Sequence, residues 1–354
     1  MPKISIRGEK IPASPIRKLT PFSDAAKANG VKVYHLNIGQ PDLPTPEKAL
    51  DSLKNITRTT LEYSPSQGIK SLRDKLVGYY SKFGIHVNAN EIIVTTGGSE
   101  ALLLTFLACL NPGDEIIMTE PGYANYLSFA VTAGVTVKTV TSRIENGFAL
   151  PSVEDFEKAI TDKTKAILIC NPNNPTGNSV THDKVEWLIK NTTKHVTIVL
   201  DEAYFDYAQS CKDYGDSTEF LQERDTLIIL RTFSKIAGLA GVRIGYALTN
   251  EEIAAALNRT KLTFGVNCFA LAAGMAALED QEHIERSKAL NRKSIEMMEQ
   301  YFESRCLKYI KSYANFIFVD VQRDVKEVYN QLLTYGVVTR GGHLWKLNNW
   351  LRIS

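Results

Sequence analysis

Long apolar runs are missing from this chain: no stretch of about 18 apolar residues occurs, so no transmembrane helix is expected. The opening residues, MPKISIRGEKIPAS, lack the apolar core of a signal peptide, and a cytoplasmic protein is the expectation. Cysteine is scarce. The five cysteines, at 109, 170, 211, 268 and 306, show neither CxxC nor other ligand spacing, which argues against a disulfide framework and a zinc site. Cys170, at the end of AILIC, reads as a small buried hydrophobe rather than a reactive thiol. The six histidines are scattered without an HExxH pair. His195 and His343 read as surface or loop residues, and no metal is expected. An excess of either charge is lacking too: 41 basic residues face 39 acidic ones, a net +2 that offers no footprint for nucleic acid or an anionic membrane. Internal repeats and low-complexity tracts are absent.

What remains is a 354-residue chain, 44% hydrophobic and 23% charged, long enough for two domains. Short β-branched runs recur, each closed by turn residues and followed by a helical stretch. EIIVTT (91–96) meets GGS, EIIMTE (115–120) meets PGY, and KAILIC (165–170) meets NPNNPTG. VTIVLD (196–201) meets EAYFDY, and TLIILR (226–231) meets TFSK. Continuous apolar strands alternating with helices predict an α/β fold with a mostly parallel sheet covered on both faces. Ligands of such sheets gather in the loops beyond the strand carboxyl ends, where the distinctive residues stand. After about residue 250 a long charged helical region, roughly 270–304, leads into a smaller α/β domain. The first 30 residues, with four prolines and few helical periods, read as an arm packing on something else, a second subunit for instance.

The loops have the chemistry to hold an anionic aromatic molecule. GGSEA between a strand and a helix would offer free backbone N–H groups to a phosphate, although taken alone it reads first as an ordinary glycine turn with Ser99 as helix cap. Thr232 and Ser234 flank Lys235 with hydroxyls, and Arg243 follows beyond Gly238 and Gly241. Asp201 ends a strongly apolar strand, where a carboxylate needs a positive partner, a helix cap or an ion pair.

Taken in order, NPNNPTG, DEAY, TFSK and GLAGVRIGY resemble the class I/II aminotransferases, the fold type I enzymes dependent on pyridoxal 5'-phosphate (PLP), over essentially the whole chain. The resemblance implies a large domain on a mostly parallel seven-stranded sheet, a smaller α/β C-terminal domain, and a ping-pong transamination between an amino donor and a 2-oxo acid such as 2-oxoglutarate. Domains are expected at 1–30 (arm), 31–255 (large, PLP-binding) and 256–354 (small). Lys235 matches the lysine that the family couples to its cofactor and uses as proton shuttle. Asp201 would pair with the pyridine nitrogen, Tyr204 and Asn174 would reach the ring's phenolic oxygen, and Tyr123 would stack on the ring. Gly98, Ser99, Glu100, Thr232, Ser234 and Arg243 would cup the phosphate. Tyr63, in LEYSPSQG, matches the tyrosine that crosses to the neighbouring subunit's phosphate, which implies a homodimer. Gly39 would line the substrate site with Asn174, and Arg352 would fork the substrate carboxylate.

The two halves resemble different subgroups. Residues 1–177, with PASPIRKL, LNIGQPDLPTP and YSPSQGIKSLRDKL, are similar to the aspartate-type enzymes of prokaryotes. From about residue 195, VLDEAYFDYA, RTFSKIAGLAGVRIGY, FGVN and SYANFIFVDV resemble histidinol-phosphate aminotransferases. Ser99 stands where several aspartate-type relatives carry a lysine for the distal carboxylate. Arg340 is placed to meet a distal anion, with a plain surface arginine as the other reading, and Asn267 in FGVN would border the same pocket. A histidinol-phosphate or aromatic substrate is therefore ranked ahead of aspartate. A lyase or decarboxylase on the same fold and a non-enzymatic PLP-binding regulator are the further alternatives. The chain stops two residues after Arg352, where the family continues with a further turn and helix.

Overall fold

The structure, a computed structural model, describes residues 3–14, 19–57 and 59–354; the PIRK stretch in PASPIRKL thus lies outside the described residues. In chain order the strands are β1 (Tyr34–His35), β2 (Ile92–Thr95), β3 (Glu115–Glu120), β4 (Thr136–Thr141), β5 (Thr164–Cys170), β6 (Thr197–Asp201), β7 (Leu227–Thr232), β8 (Gly245–Leu248), β9 (Tyr309–Ile310), β10 (Ile317–Asp320), β11 (Val337–Val338), β12 (Arg340–Gly341) and β13 (Trp350–Ile353). Seven of them form the large sheet in the order β2-β8-β7-β6-β5-β3-β4. Only β8 runs antiparallel to its neighbours.

The central strands are apolar on both faces because each face meets its own core. In β6, Ile198 and Leu200 point into one cluster while Val199 points into the other; in β7, Leu227 and Ile229 oppose Ile228 and Leu230 in the same way. Each such side chain contributes about 1.5–3 kcal/mol on burial. The parallel register then stacks the strand ends: Cys170 pairs with Asp201, and Asp201 with Leu230, so the loops after β5, β6 and β7 leave one edge together. A second sheet, β12-β13-β10-β9, is antiparallel throughout and packs Ile317, Val319 and Leu351 against Ile295 and Phe302 of the helix Gln281–Ser304.

Two expectations are corrected, and a third is revised by proposal. The charged helical region is two helices, Cys268–Leu278 and Gln281–Ser304, because the Asp280 carboxylate caps the second by accepting from the His283 amide at 3.3 Å. The N-terminal arm contains helices, Ile6–Lys10 capped by Ser5 and Thr20–Ala28 with proline in its first turn. The second of these packs on the helix Val325–Thr334, so this part of the arm joins the small domain, and just beyond the arm β1 pairs in parallel with β11. Finally, a boundary at 255/256 would cut the helix Glu251–Thr260, whose Ala254 and Leu257 are buried with the large sheet. Helix Cys268–Leu278 also packs into the large domain, with Ala270, Leu271 and Ala273 in its core. We propose that the small domain begins within Gln281–Ser304.

Candidate active site

A cavity opens at the carboxyl edge of the large sheet, between it and the small domain. Gly39, Gly98, Ser99, Tyr123, Asn174, Asp201, Tyr204, Thr232, Ser234, Lys235, Arg243, Arg340 and Arg352 all line it. Lys235 follows β7 in a turn, and its Nζ donates to the Gly39 carbonyl at 2.5 Å. Burial pulls its pKa from 10.5 down to about 8; Arg352, Arg340 and Arg243 push the same way, and Asp201 opposes them. The folded-state pKa is depressed, so the uncharged, nucleophilic amine is populated as pH rises through about 8. In cofactor-free protein, capture of a small aldehyde by Lys235 should therefore rise with a midpoint near pH 8, followed by mass labelling of that residue. A midpoint near 10.5 would show an ordinary exposed amine.

Asp201 closes one end of the cavity. Its Oδ2 accepts from the Tyr126 hydroxyl at 2.7 Å and its Oδ1 from the Ala203 amide at 3.2 Å. Desolvation raises its pKa, while those hydrogen bonds and Lys235 hold it down. A carboxylate so placed is ready for a cationic or N–H partner. Next to it, Asn174 is a relay: its Nδ2 donates to the Tyr204 hydroxyl at 3.1 Å, and its Oδ1 accepts from Arg352 Nη1 at 2.9 Å.

The other end is built for an anion. Helix Gly98–Cys109 starts here, and Gly98 and Ser99 are its first two residues, whose amides have no intrahelical acceptor. Gly97, not Ser99, is the cap, at φ +98°. A Cβ there would stand 2.6 Å from Arg243 Nη2, so glycine leaves room for the guanidinium. Arg243 Nη1 donates to Ser234 Oγ at 3.3 Å and to the Ala240 carbonyl at 2.9 Å. Glu100 departs from the expected cup: its amide donates to the Gly97 carbonyl at 3.2 Å and its carboxylate accepts from the Thr96 amide at 2.7 Å. It braces the loop from outside the cavity.

The small domain supplies a second anion site. Arg340 and Arg352 face each other across β12 and β13, each 2% exposed, which overturns the surface-arginine reading. Like charges directly opposite in a sheet repel. Neither makes an ion pair among the described residues, and Arg340 Nη2 and Arg352 Nε are buried without hydrogen-bond partners. Arg352 is nonetheless firmly held, with Nη2 donating to the Asn37 carbonyl at 2.6 Å and Phe316 beneath its guanidinium at 4.6 Å. Burial without a carboxylate lowers the pKa of both arginines, a demand for an incoming anion rather than a loss of charge.

Two named residues lie elsewhere. Tyr63 is 82% exposed and stacks on Phe264 at 4.6 Å, away from its own chain's cavity. Asn267 is exposed and caps helix Cys268–Leu278 by accepting from the Ala270 amide at 2.7 Å. Residues that sequence reasoning missed include Asn37, Leu102 and Phe129 in the lining, and Tyr126 behind Asp201. Cys170 lines the cavity as well, its thiol pushed up by burial and so kept protonated.

The chain matches the family "Aminotransferase class I and II" over residues 31–354. It is 40% identical to a histidinol-phosphate aminotransferase of Caldicellulosiruptor saccharolyticus over 76% of this chain and 74% of that one. It is 35% identical to one of Moorella thermoacetica over 94% of this chain and 84% of that one, a match that spans both halves. Among solved structures, a double mutant of Thermus thermophilus aspartate aminotransferase superposes with TM-score 0.90 at 27% identity, covering 100% of this chain and 95% of that one. Aspartate aminotransferase of Thermotoga maritima gives 0.90 at 26%, over 99% and 94%. The chain belongs to the class I and II aminotransferases, and it is a pyridoxal-phosphate-dependent transaminase of fold type I.

Proposed function

We propose that this enzyme moves an amino group from a phosphorylated amino donor of the histidinol-phosphate kind to a 2-oxo acid such as 2-oxoglutarate, in a ping-pong cycle. The observation that carries the reading is the pair of buried, carboxylate-free arginines, Arg340 and Arg352, which suits a dianionic phosphate. The names of the relatives add weight, and so does Ser99, where a lysine would favour aspartate.

The cavity fits the cofactor at both ends and in between, since an anion cradle, an amine of lowered pKa and a carboxylate follow one another along it. Bound there, PLP supplies an aldehyde to hold the amine and an electron-withdrawing ring to accept electrons from the substrate carbon. Gly98 and Ser99 amides, Thr232, Ser234 and Arg243 would hold the phosphate, with Tyr123 against the ring. Asp201 would hold a proton on the pyridine nitrogen, its own charge kept in place by Tyr126 and Ala203. Tyr204 and Asn174 would hydrogen-bond the phenolic oxygen. Lys235 Nζ would couple to the cofactor and, once displaced, carry the proton away from substrate Cα, a step worth about 10²–10⁴ in rate. Arg352 would take the donor's anion or the α-carboxylate of the 2-oxo acid, and Arg340 the remaining charge, with Gly39 flooring the site.

A cytoplasmic homodimer belongs to the same proposal. No helix among the described residues is long and apolar enough to cross a membrane. Exposed Tyr63 and Phe264, with Leu61 and Leu262 beside them in the chain, suit a subunit interface through which Tyr63 reaches the neighbour's phosphate site.

A dicarboxylic donor is the second reading, since the arginine pair would also meet two carboxylates, and the Thermus relative has been solved with maleate. A spectral half-reaction screen separates them. Histidinol phosphate should discharge the yellow cofactor absorbance at the lowest concentration among histidinol phosphate, aspartate, glutamate, phenylalanine and tyrosine. Discharge by aspartate at lower concentration would favour the dicarboxylate reading, and no discharge by any donor would sink both.

A further inference from the structure

After β12 the chain turns back on itself through Gly342–Trp345, ending at Lys346 with φ +63°. The fold-back is tight: a Cβ on Gly342 would lie 2.5 Å from the Leu347 carbonyl oxygen. It carries the Trp345 indole out of the small domain to the large one, where Nε1 donates to the Gly122 carbonyl at 2.9 Å. Gly122 immediately precedes Tyr123, which lines the active-site cavity. The same loop is held from its other side by Asn173 Nδ2, donating to the Pro121 carbonyl at 3.2 Å. The indole ring also lies under Arg340, with the guanidinium carbon 5.9 Å from the centroid, and meets the edge of Phe318 at 6.3 Å. Arg340 has no carboxylate partner among the described residues and its Nη2 donates to nothing, so an aromatic face is a main restraint on where its charge sits.

We infer that Trp345 is a positioning residue for donor specificity, fixing Arg340 on the small domain and the Tyr123 loop on the large one at a common distance. This rests on Arg340 meeting the donor's distal anion. The indole does two separable things: its N–H ties the domains, and its face orients the guanidinium. Phenylalanine keeps a face and loses the N–H; leucine loses both.

Steady-state kinetics of Trp345→Phe, Trp345→Leu and Arg340→Ala with histidinol phosphate and with phenylalanine, a donor lacking the distal anion, test this. Trp345→Leu should raise KM for histidinol phosphate about tenfold with kcat held within about threefold, and Trp345→Phe should fall between. The kcat/KM for phenylalanine should stay within about threefold of wild type in both, which a general loss of folding would not allow. Equal losses for both donors, or a change confined to kcat, would overturn the proposal. If Arg340→Ala weakens histidinol phosphate and the Trp345 variants do not, this proposal alone falls. If Arg340→Ala spares histidinol phosphate, the distal-anion reading falls and takes this one with it.

Discussion

Replacing Lys235 by alanine is expected to lower kcat by about four orders of magnitude while the protein still binds its cofactor. Lys235 makes one hydrogen bond, to the Gly39 carbonyl, and no ion pair among the described residues. Its pKa is depressed because burial and three arginines disfavour its charge. Removing it costs the fold little, and the thermal midpoint should hold. The phosphate cradle around Arg243 and the Asp201 carboxylate remain, so binding without a covalent link should persist. Only the amine that carries the Cα proton is gone. A small primary amine added to the variant should restore part of the rate, with more rescue as the free base is populated. Turnover within tenfold of wild type would remove Lys235 from its proposed place.

The second large effect falls on Arg352. Arg352→Ala is expected to cut kcat/KM by about 10²–10³-fold for any donor or acceptor whose anion it holds. More than a charge is lost: Asn174 Oδ1 loses its donor, and that same amide orients the Tyr204 hydroxyl. Arg352→Lys should recover only part, because an ammonium cannot reproduce a fork that donates to Asn174 and the Asn37 carbonyl while lying flat on Phe316. Stability should move the other way. Alanine relieves an uncompensated buried charge opposite Arg340, so Tm should hold or rise even as activity collapses. A Tm falling in step with activity would mark Arg352 as a structural residue.

How much of this was legible in the sequence follows from how local each feature is. Lys235, Asp201 and Asn174 stand at strand ends, and parallel pairing of β5, β6 and β7 brings such ends together without further information. The large sheet was readable for the same reason, as continuous apolar runs have one economical arrangement. Residues whose role depends on a distant partner were harder. Tyr126 matters because it reaches Asp201 across 75 positions, and in the sequence it is one more tyrosine of a helix. Arg340 could be placed near an anion by resemblance, but its burial comes from the register of β12 on β13. Glu100 was misassigned because its motif position suggested a cup amide, whereas the first helical turn spends that amide on Gly97. The domain boundary was hard to read because Cys268–Leu278 is apolar all round, and nothing local says which domain's core will take it.

The most direct test of the central claim is to reduce the holoenzyme with borohydride, digest it, and map the attached pyridoxyl group by mass spectrometry. The chain holds a second buried lysine of lowered pKa, Lys261, its Nζ donating to the carbonyls of Ser66 and Val94. The account predicts the group on Lys235 alone, in the peptide that carries TFSKIAGLAGVR. A label on Lys261, or on no lysine, would contradict it.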